Sequence, residues 1–513
     1  MNLHRIFLTF LFSIVIFSSC QSVPSEVEYA LEIAGPNRDE LQKVIEFYKT
    51  KGDSDRLRAA YYLIKNLPHQ FHYSGKGVSL YHDAIERISQ KALNNDDFNR
   101  NFTADSLLTE LPAKGLSIIS KVYDIHVIKS DFLIKNIEDA FKAWEYPWSN
   151  HLSFEEFSTY ILPYKLKDEQ PGDWRTYFQQ RYNHLVDSME NKTDPIEMCK
   201  LINQDLKKWF YFSKIAPKYD LNFNELLQLR AGGCPEEVQL ATYAMRAMGL
   251  PVVMDGVPMW ANRNSRHDWN AILIGNQFIP FLGTEIDPGI YKVEGALPGN
   301  IKAKRAKVYR RCFSINRESP LELYPDTDLP DLFNTSQYLD VTASYIPVQS
   351  FHIPLKKGFS GQFGYLAVFN HQDWRIIDWG RRGENGITFK DVGRDIVYLP
   401  VLYDEGEMRP IGNPILVNKL GEVEIIQPDY HVNKRLIIDR KYPTGDDNKV
   451  QIGESYELFY WDNRWVYLEK KTAENEYLSF DKVPHKALLW LHNVMQGAQE
   501  RIFLFNDGKI NWY

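Results

Sequence analysis

The stretch Arg230–Pro288 reads RAGGCPEEVQLATYAMRAMGLPVVMDGVPMWANRNSRHDWNAILIGNQFIPFLGTEIDP. Its first half is a helix with marked ends. Pro235 suits a first helical turn, where no amide hydrogen is needed, and Glu236 and Glu237 favour the positive end of the dipole. Val238, Leu240, Ala241, Ala244, Met245 and Met248 form a buried face, and Gly249 followed by Pro251 ends the helix. Cys234 therefore opens a buried helix after a glycine-rich turn. Helix-end amides and the dipole favour thiolate and can receive an oxyanion, although Pro235 donates nothing and two nearby carboxylates oppose the thiolate. His267 follows 33 residues later, ahead of the strand-like Trp269–Ile274 run. From there it can take the thiol proton and return it to a leaving amine. An orienting carboxylate is expected from the next segment, QFIPFLGTEIDP, with Glu285 and Asp287 as candidates. Asp268, adjacent to the histidine on a strand, is expected on the opposite face. The competing reading is a small buried cysteine and a structural histidine.

Three pieces of this stretch, GGCPEEVQLATYAMRAMGLPV, RHDWNAIL and NQFIPF, resemble the transglutaminase-like superfamily. The likeness spans about residues 225–290. It lies in a cysteine that opens a helix, an Arg-Ala-x-Gly-Leu-Pro ending, a His-x-Trp strand and an aromatic-rich strand. The resemblance implies a papain-like fold with Cys234 as nucleophile and His267 as base. It also implies a range of activities: cross-linking transglutaminases, peptide or amide hydrolases, deglycosylating amidases and inactive relatives. The family pattern departs at Leu282, which stands where the acid is expected and cannot orient a histidine. Either Glu285 or Asp287 replaces that acid, or the triad is reduced to a dyad. Gly233 stands where Asp often precedes the cysteine, and Asp268 where Ala is common. The wider arrangement resembles exported transglutaminase-domain lipoproteins of Bacteroidetes.

A chain of 513 residues exceeds one hydrophobic core, so two to four domains are expected. The fold class expected is multidomain α+β: a mostly helical N-terminal region, a transglutaminase-like (papain-like) α+β core and C-terminal antiparallel β-sandwich-like domains. The net charge of -7 is spread without a basic stripe, which argues against nucleic acid as partner. The four cysteines, Cys20, Cys199, Cys234 and Cys312, make no CxxC pair. A Cys199–Cys312 disulfide is the minor alternative to free thiols. No HExxH-like motif occurs, and His69, His72, His82, His126, His151 and His184 read as structural or surface residues. Neither a metal nor another cofactor is expected.

Arg5, the apolar run Ile6–Phe17 and the small Ser18 and Ser19 before Cys20 read as a lipoprotein signal, with Cys20 the lipidated residue. An ordinary cleaved signal is the alternative. Residues 21–34 read as a tether. Residues 35–222 read as a helical domain or the N-terminal part of the core, with helices over 37–65, 81–94, 104–110, 131–144, 173–189 and 194–213. Ser153 and Glu156 form a capping-box pattern, and Asn222 or Asn224 caps a short helix before the AGGC turn. The core is placed at 223–320. Short Val/Ile/Tyr/Phe-rich runs then define a β-rich domain at 321–440 and a smaller one at 441–513, with a hairpin turning at Asp462-Asn463.

The function expected is an exported cysteine-dependent acyl-transfer enzyme that hydrolyses a peptide or amide bond. Hydrolysis is favoured because water outcompetes an amine at an open site. Partners would be a peptide, glycopeptide or cell-wall-like amide and the bilayer through the lipid anchor, at the outer membrane facing periplasm or cell surface. Trp260, Trp269 and Arg266 are substrate-binding candidates. The rivals are an inactive surface lipoprotein that binds glycan or peptide, motivated by Leu282 and a high aromatic content of 14%, and a cross-linking transglutaminase. A metal hydrolase lacks a ligand cluster.

Overall fold

The computed structural model describes residues 22–93, 119–213, 217, 219–297, 301–355, 361–495, 500–506 and 508–513. The export signal with Cys20 and the expected helix 104–110 lie outside them. The molecule is a multidomain α+β protein in which helices dominate the first half and antiparallel sheets the second.

The central helix runs Cys234–Ala247, and every residue from Glu236 to Ala247 is buried. A helix apolar nearly all round must be covered on all sides. One side packs on the Trp174–Tyr182 helix, where Trp174 and Tyr243 stack at 4.8 Å. The other packs on a five-stranded antiparallel sheet. Its strands are β1 (Val252–Val257), β2 (His267–Ile274), β3 (Gln277–Phe281), β4 (Tyr309–Arg311) and β5 (Tyr338–Asp340), in the order β5-β4-β1-β2-β3. Gly249 ends the helix in the left-handed region, at φ +74°. A side chain there would also meet the Ala143 carbonyl at 2.2 Å, so position 249 demands glycine twice over.

The helical half contains two cores. The helices Ser25–Ile33, Arg38–Lys51, Ser54–Asn66, Ser130–Trp144 and Phe154–Tyr160 bury one set of side chains together. The helices Lys76–Leu93, Trp174–Tyr182, Pro195–Leu206 and Phe223–Leu229 share the core of the central helix. The expected helical region is thus partly a separate layer and partly the core itself. Arg175 joins the layers: its buried guanidinium donates to Asn136 Oδ1 and to the Ile161 and Arg246 carbonyls. The expected tether needs correction, because Ser25–Ile33 is helical and buries Val27, Ala30 and Leu31. Its apolar positions pack on the helices that follow it. The capping box at Ser153/Glu156 forms, and of the two asparagines Asn222 is the cap, in a second box with Glu225.

The β half begins with a sheet ordered Val348–Pro354, Gly386–Gly393, Asp373–Arg382, Phe363–Asn370, Ile396–Asp404, Ile415–Val417 and Val423–Ile425, with Glu407–Pro410 paired to Ile396–Asp404. The expected boundary at 441 moves back, since Asp429–Ile438 pairs with Leu478–His485 of the last unit. The hairpin turns where expected: Trp461 faces Trp465, and Asn463 takes φ +55°. The two β units share side chains, Trp461, Leu488 and Ile502 packing with Phe369 and Trp374 and with Tyr309 of β4. Cys199 and Cys312 are buried free thiols, so the disulfide alternative falls. His72 pairs with Asp124 at 2.8 Å and His82 with Glu225 at 2.7 Å.

Beneath β1 and β4, Asp255 is fully buried and accepts from Arg310 Nε and Nη2, both at 2.8 Å, and from the Tyr345 hydroxyl at 2.6 Å. Truncating one partner strands the other charge in the interior, at about 3–5 kcal/mol. Asp255→Ala is therefore expected to lower the thermal unfolding midpoint sharply. The double variant Asp255→Ala/Arg310→Met should recover part of the loss.

Candidate active site

The site forms where the first residue of the central helix meets the first residue of β2. Cys234 Sγ lies 3.3 Å from His267 Nδ1. Register produces the meeting: Val257 of β1 faces His267, which fixes the imidazole at the sheet end from which the helix starts. Asn270 clamps helix to sheet from below. Its amide donates to Val238 O and Thr242 Oγ1, and its carbonyl accepts from Gly283 N–H.

The second imidazole nitrogen, Nε2, lies 2.7 Å from the Tyr291 hydroxyl. The expectation of a carboxylate there is corrected. Asp287 accepts from Asn203 Nδ2 at 2.7 Å and Lys207 Nζ at 2.8 Å, which binds the turn after β3 to the Pro195–Leu206 helix. Glu285 is exposed, and neither imidazole nitrogen is bonded to it. Leu282 is buried at the end of β3, where its amide bonds the Ile286 carbonyl and closes a turn. That turn carries both acids past the histidine.

Of the three substrate-binding candidates, two belong to the walls of the imidazole. Trp260 and Trp269 are 3% and 0% exposed and flank His267, each with ring centres 6.0 Å away. Trp269 also donates its indole N–H to the Tyr345 hydroxyl at 3.1 Å, so its place is the core. Arg266 is exposed and lines a cavity of about 850 Å³ on the other face of β2, together with Asp268 and Pro235. Asp268 thus sits opposite to His267, as strand alternation requires.

Burial governs the protonation of the pair. It pushes the Cys234 thiol up to about 12, and the negative charges of Glu237, Asp268 and Glu285 add to that push. It pushes the His267 imidazole down to about 4, with Arg263 contributing. The resting pair is therefore a thiol donating to neutral imidazole at Nδ1. With the thiol as donor to Nδ1, the ring proton falls on Nε2, where the Tyr291 oxygen can accept it. Burial also raises Tyr291, which stays neutral. A phenol can hold the ring's orientation and tautomer, but unlike a carboxylate it brings no charge to balance an imidazolium. At the helix end the Glu236 and Glu237 amides donate to the Gly233 carbonyl and Pro235 has no N–H, so the candidate oxyanion donor narrows to the Cys234 amide. Glu237, one turn into the helix, accepts from Thr284 Oγ1 at 2.7 Å, while its Oε2 is buried without a partner. Burial holds that carboxyl up at about 8.

Distant parts of the chain fix the loop that carries Trp260. Asn370 donates to the Trp260 and Arg263 carbonyls, both at 2.9 Å. Arg501, buried, donates to the Ala261 carbonyl and to Asn264 Oδ1. Tyr291, Asn370 and Arg501 carry no local signal in the sequence. Tyr291 falls in GIYK, which reads as linker, and the other two lie more than 100 residues from the loop they hold. Among the described residues no group of three His, Cys, Asp or Glu side chains can hold a metal ion.

No protein-family model and no curated protein matches the chain. Among solved structures, the crystal structure of a candidate cysteine protease from Cytophaga hutchinsonii is similar at 18% identity and a TM-score of 0.19, over 22% of this chain and 38% of that one. The match thus spans less than half of that protein.

The two buried acid–base groups have opposite effects on stability. His267 titrates at about 4 when folded against an ordinary 6.5, so between those values only the unfolded chain holds the proton. Its contribution is present above pH 6.5 and is lost as pH falls to 4, on the order of 3 kcal/mol. Glu237 is raised from 4.5 to about 8, so its burial costs progressively more as pH rises through that window. Thermal unfolding of His267→Gln should lack part of the acid decline. Glu237→Gln should be more stable than the parent at pH 8, with the difference vanishing below pH 4.5.

Proposed function

We propose that the protein is a cysteine-dependent acyl-transfer enzyme that hydrolyses amide bonds in peptides, glycopeptides or cell-wall-like material. The observation that carries this reading is the 3.3 Å contact between Cys234 Sγ and His267 Nδ1, with the other ring nitrogen held by Tyr291. In the first step, Sγ attacks the amide carbonyl while Nδ1 takes the thiol proton. The Cys234 amide faces the developing oxyanion, and His267 then gives the proton to the departing amine. In the second step, His267 takes a proton from water, the resulting hydroxide attacks the thioester, the C–S bond breaks to free the acid, and His267 returns the proton to Sγ. Neutral resting partners suit this concerted transfer, because no ion pair has to be maintained in a buried site. Water as second nucleophile makes the enzyme a hydrolase, and an amine in its place would make it a cross-linking enzyme.

A second reading, a binding protein without turnover, is favoured by one feature: a neutral tyrosine stands where a carboxylate would stabilise the imidazolium. The N-terminal pattern ending at Cys20 further supports an exported lipoprotein held at the cell envelope by its lipid. Loss of radiolabelled fatty acid from Cys20→Ser would test that.

Incubation with iodoacetamide and with a peptide acyloxymethyl ketone is the test of catalysis. The native protein should label at Cys234, and Cys234→Ala should not. His267→Ala should slow labelling by the ketone about 100-fold or more, in keeping with loss of a general base. Tyr291→Phe should slow it about 10-fold. Equal labelling of native protein and Cys234→Ala would sink the acyl-transfer reading.

A further inference from the structure

The cavity on the far face of β2 starts one residue from each member of the pair, at Pro235 and at Asp268. Its buried and half-buried charges cancel in pairs, with one exception. Arg310 neutralises Asp255 at 2.8 Å, Lys167 neutralises Asp220 at 2.9 Å, and Arg311 neutralises Asp168 at 3.2 Å. Lys121, Arg266 and Asp331 stand exposed at its edge. Asp268 is half-buried and, among the described residues, its carboxylate forms neither an ion pair nor a hydrogen bond, while Arg266, Lys167 and Arg311 act on it at longer range. The backbone makes room for this carboxylate: Gly256 faces Asp268 across the strands, and a side chain at 256 would lie 2.3 Å from Asp268 Oδ1. A half-buried carboxylate that forms no ion pair of its own at a cavity wall is placed to take a counter-charge from a ligand.

We propose that this cavity receives a protonated amine of the substrate, with Asp268 as its counter-ion. This rests on the acyl-transfer reading of Cys234 and narrows its substrate class to peptides or amides bearing a free ammonium group close to the scissile bond. Pro235 and Asp268, the chain neighbours of Cys234 and His267, both line the cavity, which places it beside the pair. Burial holds the Asp268 carboxyl up at about 6, against the pull of Arg266, Lys167 and Arg311, so it is charged at neutral pH.

Two measurements separate this inference from the acyl-transfer reading. The first involves no chemistry: calorimetric titration of Cys234→Ala protein with alanyl-alaninamide and with its N-acetylated form. The free amine should bind about tenfold or more tightly than the acetylated form, as a charge-assisted hydrogen bond provides. Asp268→Asn in the same background should abolish the preference, and Gly256→Ala, which displaces the carboxylate, should reduce it. Unfolding curves establish that both variants are folded. Equal affinity of the two ligands, binding of neither, or a preference that survives Asp268→Asn overturns the inference. The second uses the native protein and compares labelling of Cys234 by 2-aminoethyl and by methyl methanethiosulfonate. The cationic reagent should react faster, and Asp268→Asn should remove the difference. A difference that is absent, or that survives the substitution, counts against the inference. If neither reagent labels Cys234, the acyl-transfer reading fails, while the calorimetric result still decides whether the cavity binds an amine.

Discussion

A buried helix whose first residue must stay reactive is the constraint on which this structure turns. Covering the helix from Glu236 to Ala247 stabilises the core by removing apolar surface from water. The same covering removes water from around Cys234 and His267, which penalises any charge on either. The thiol is pushed up and the imidazole down, and the pair rests neutral. The dipole and free amides expected to favour thiolate at a helix end act here against a larger desolvation effect and against the charges of Glu237, Asp268 and Glu285. Proton transfer between the partners then belongs to the reaction itself.

Tyr291 fits the same logic. A carboxylate behind His267 would have to be ionised in a desolvated pocket, which burial opposes. A phenol holds the ring at 2.7 Å without adding charge. The gain is a low electrostatic cost in the resting state, and the loss is weaker support for the imidazolium formed during the reaction. Asp287, by contrast, is committed to Asn203 and Lys207, where it holds the turn beyond β3 and so indirectly the position of Gly283 against Asn270.

The β units contribute more than bulk. Asn370 and Arg501 bind the carbonyls of the Trp260 loop, and Trp260 in turn covers one face of the imidazole. A loop rich in Pro, Asn, Arg and Ser has few apolar side chains with which to fix itself, so its backbone groups are satisfied from outside. The geometry of the pair therefore depends on residues from three separate parts of the chain.

Much of the architecture is legible in residue order. The bounds of the central helix, the capping boxes, the strand at His267 and the helical-to-β change follow from local rules of capping, periodicity and turn chemistry, because those rules act over a few residues. The placement of Asp268 opposite His267 follows from strand alternation. Tertiary structure alone decides which group meets His267 Nε2, since Tyr291 reaches it through a chain path with no regular period and Leu282 diverts both acids into a turn. It also decides that residues 25–33 pack as a helix and that Asp429–Ile438 joins the last unit, because both depend on partners far along the chain. The sequence determined which residues can do chemistry here; burial and long-range packing decided their protonation and their partners, because electrostatics and desolvation depend on everything nearby in space.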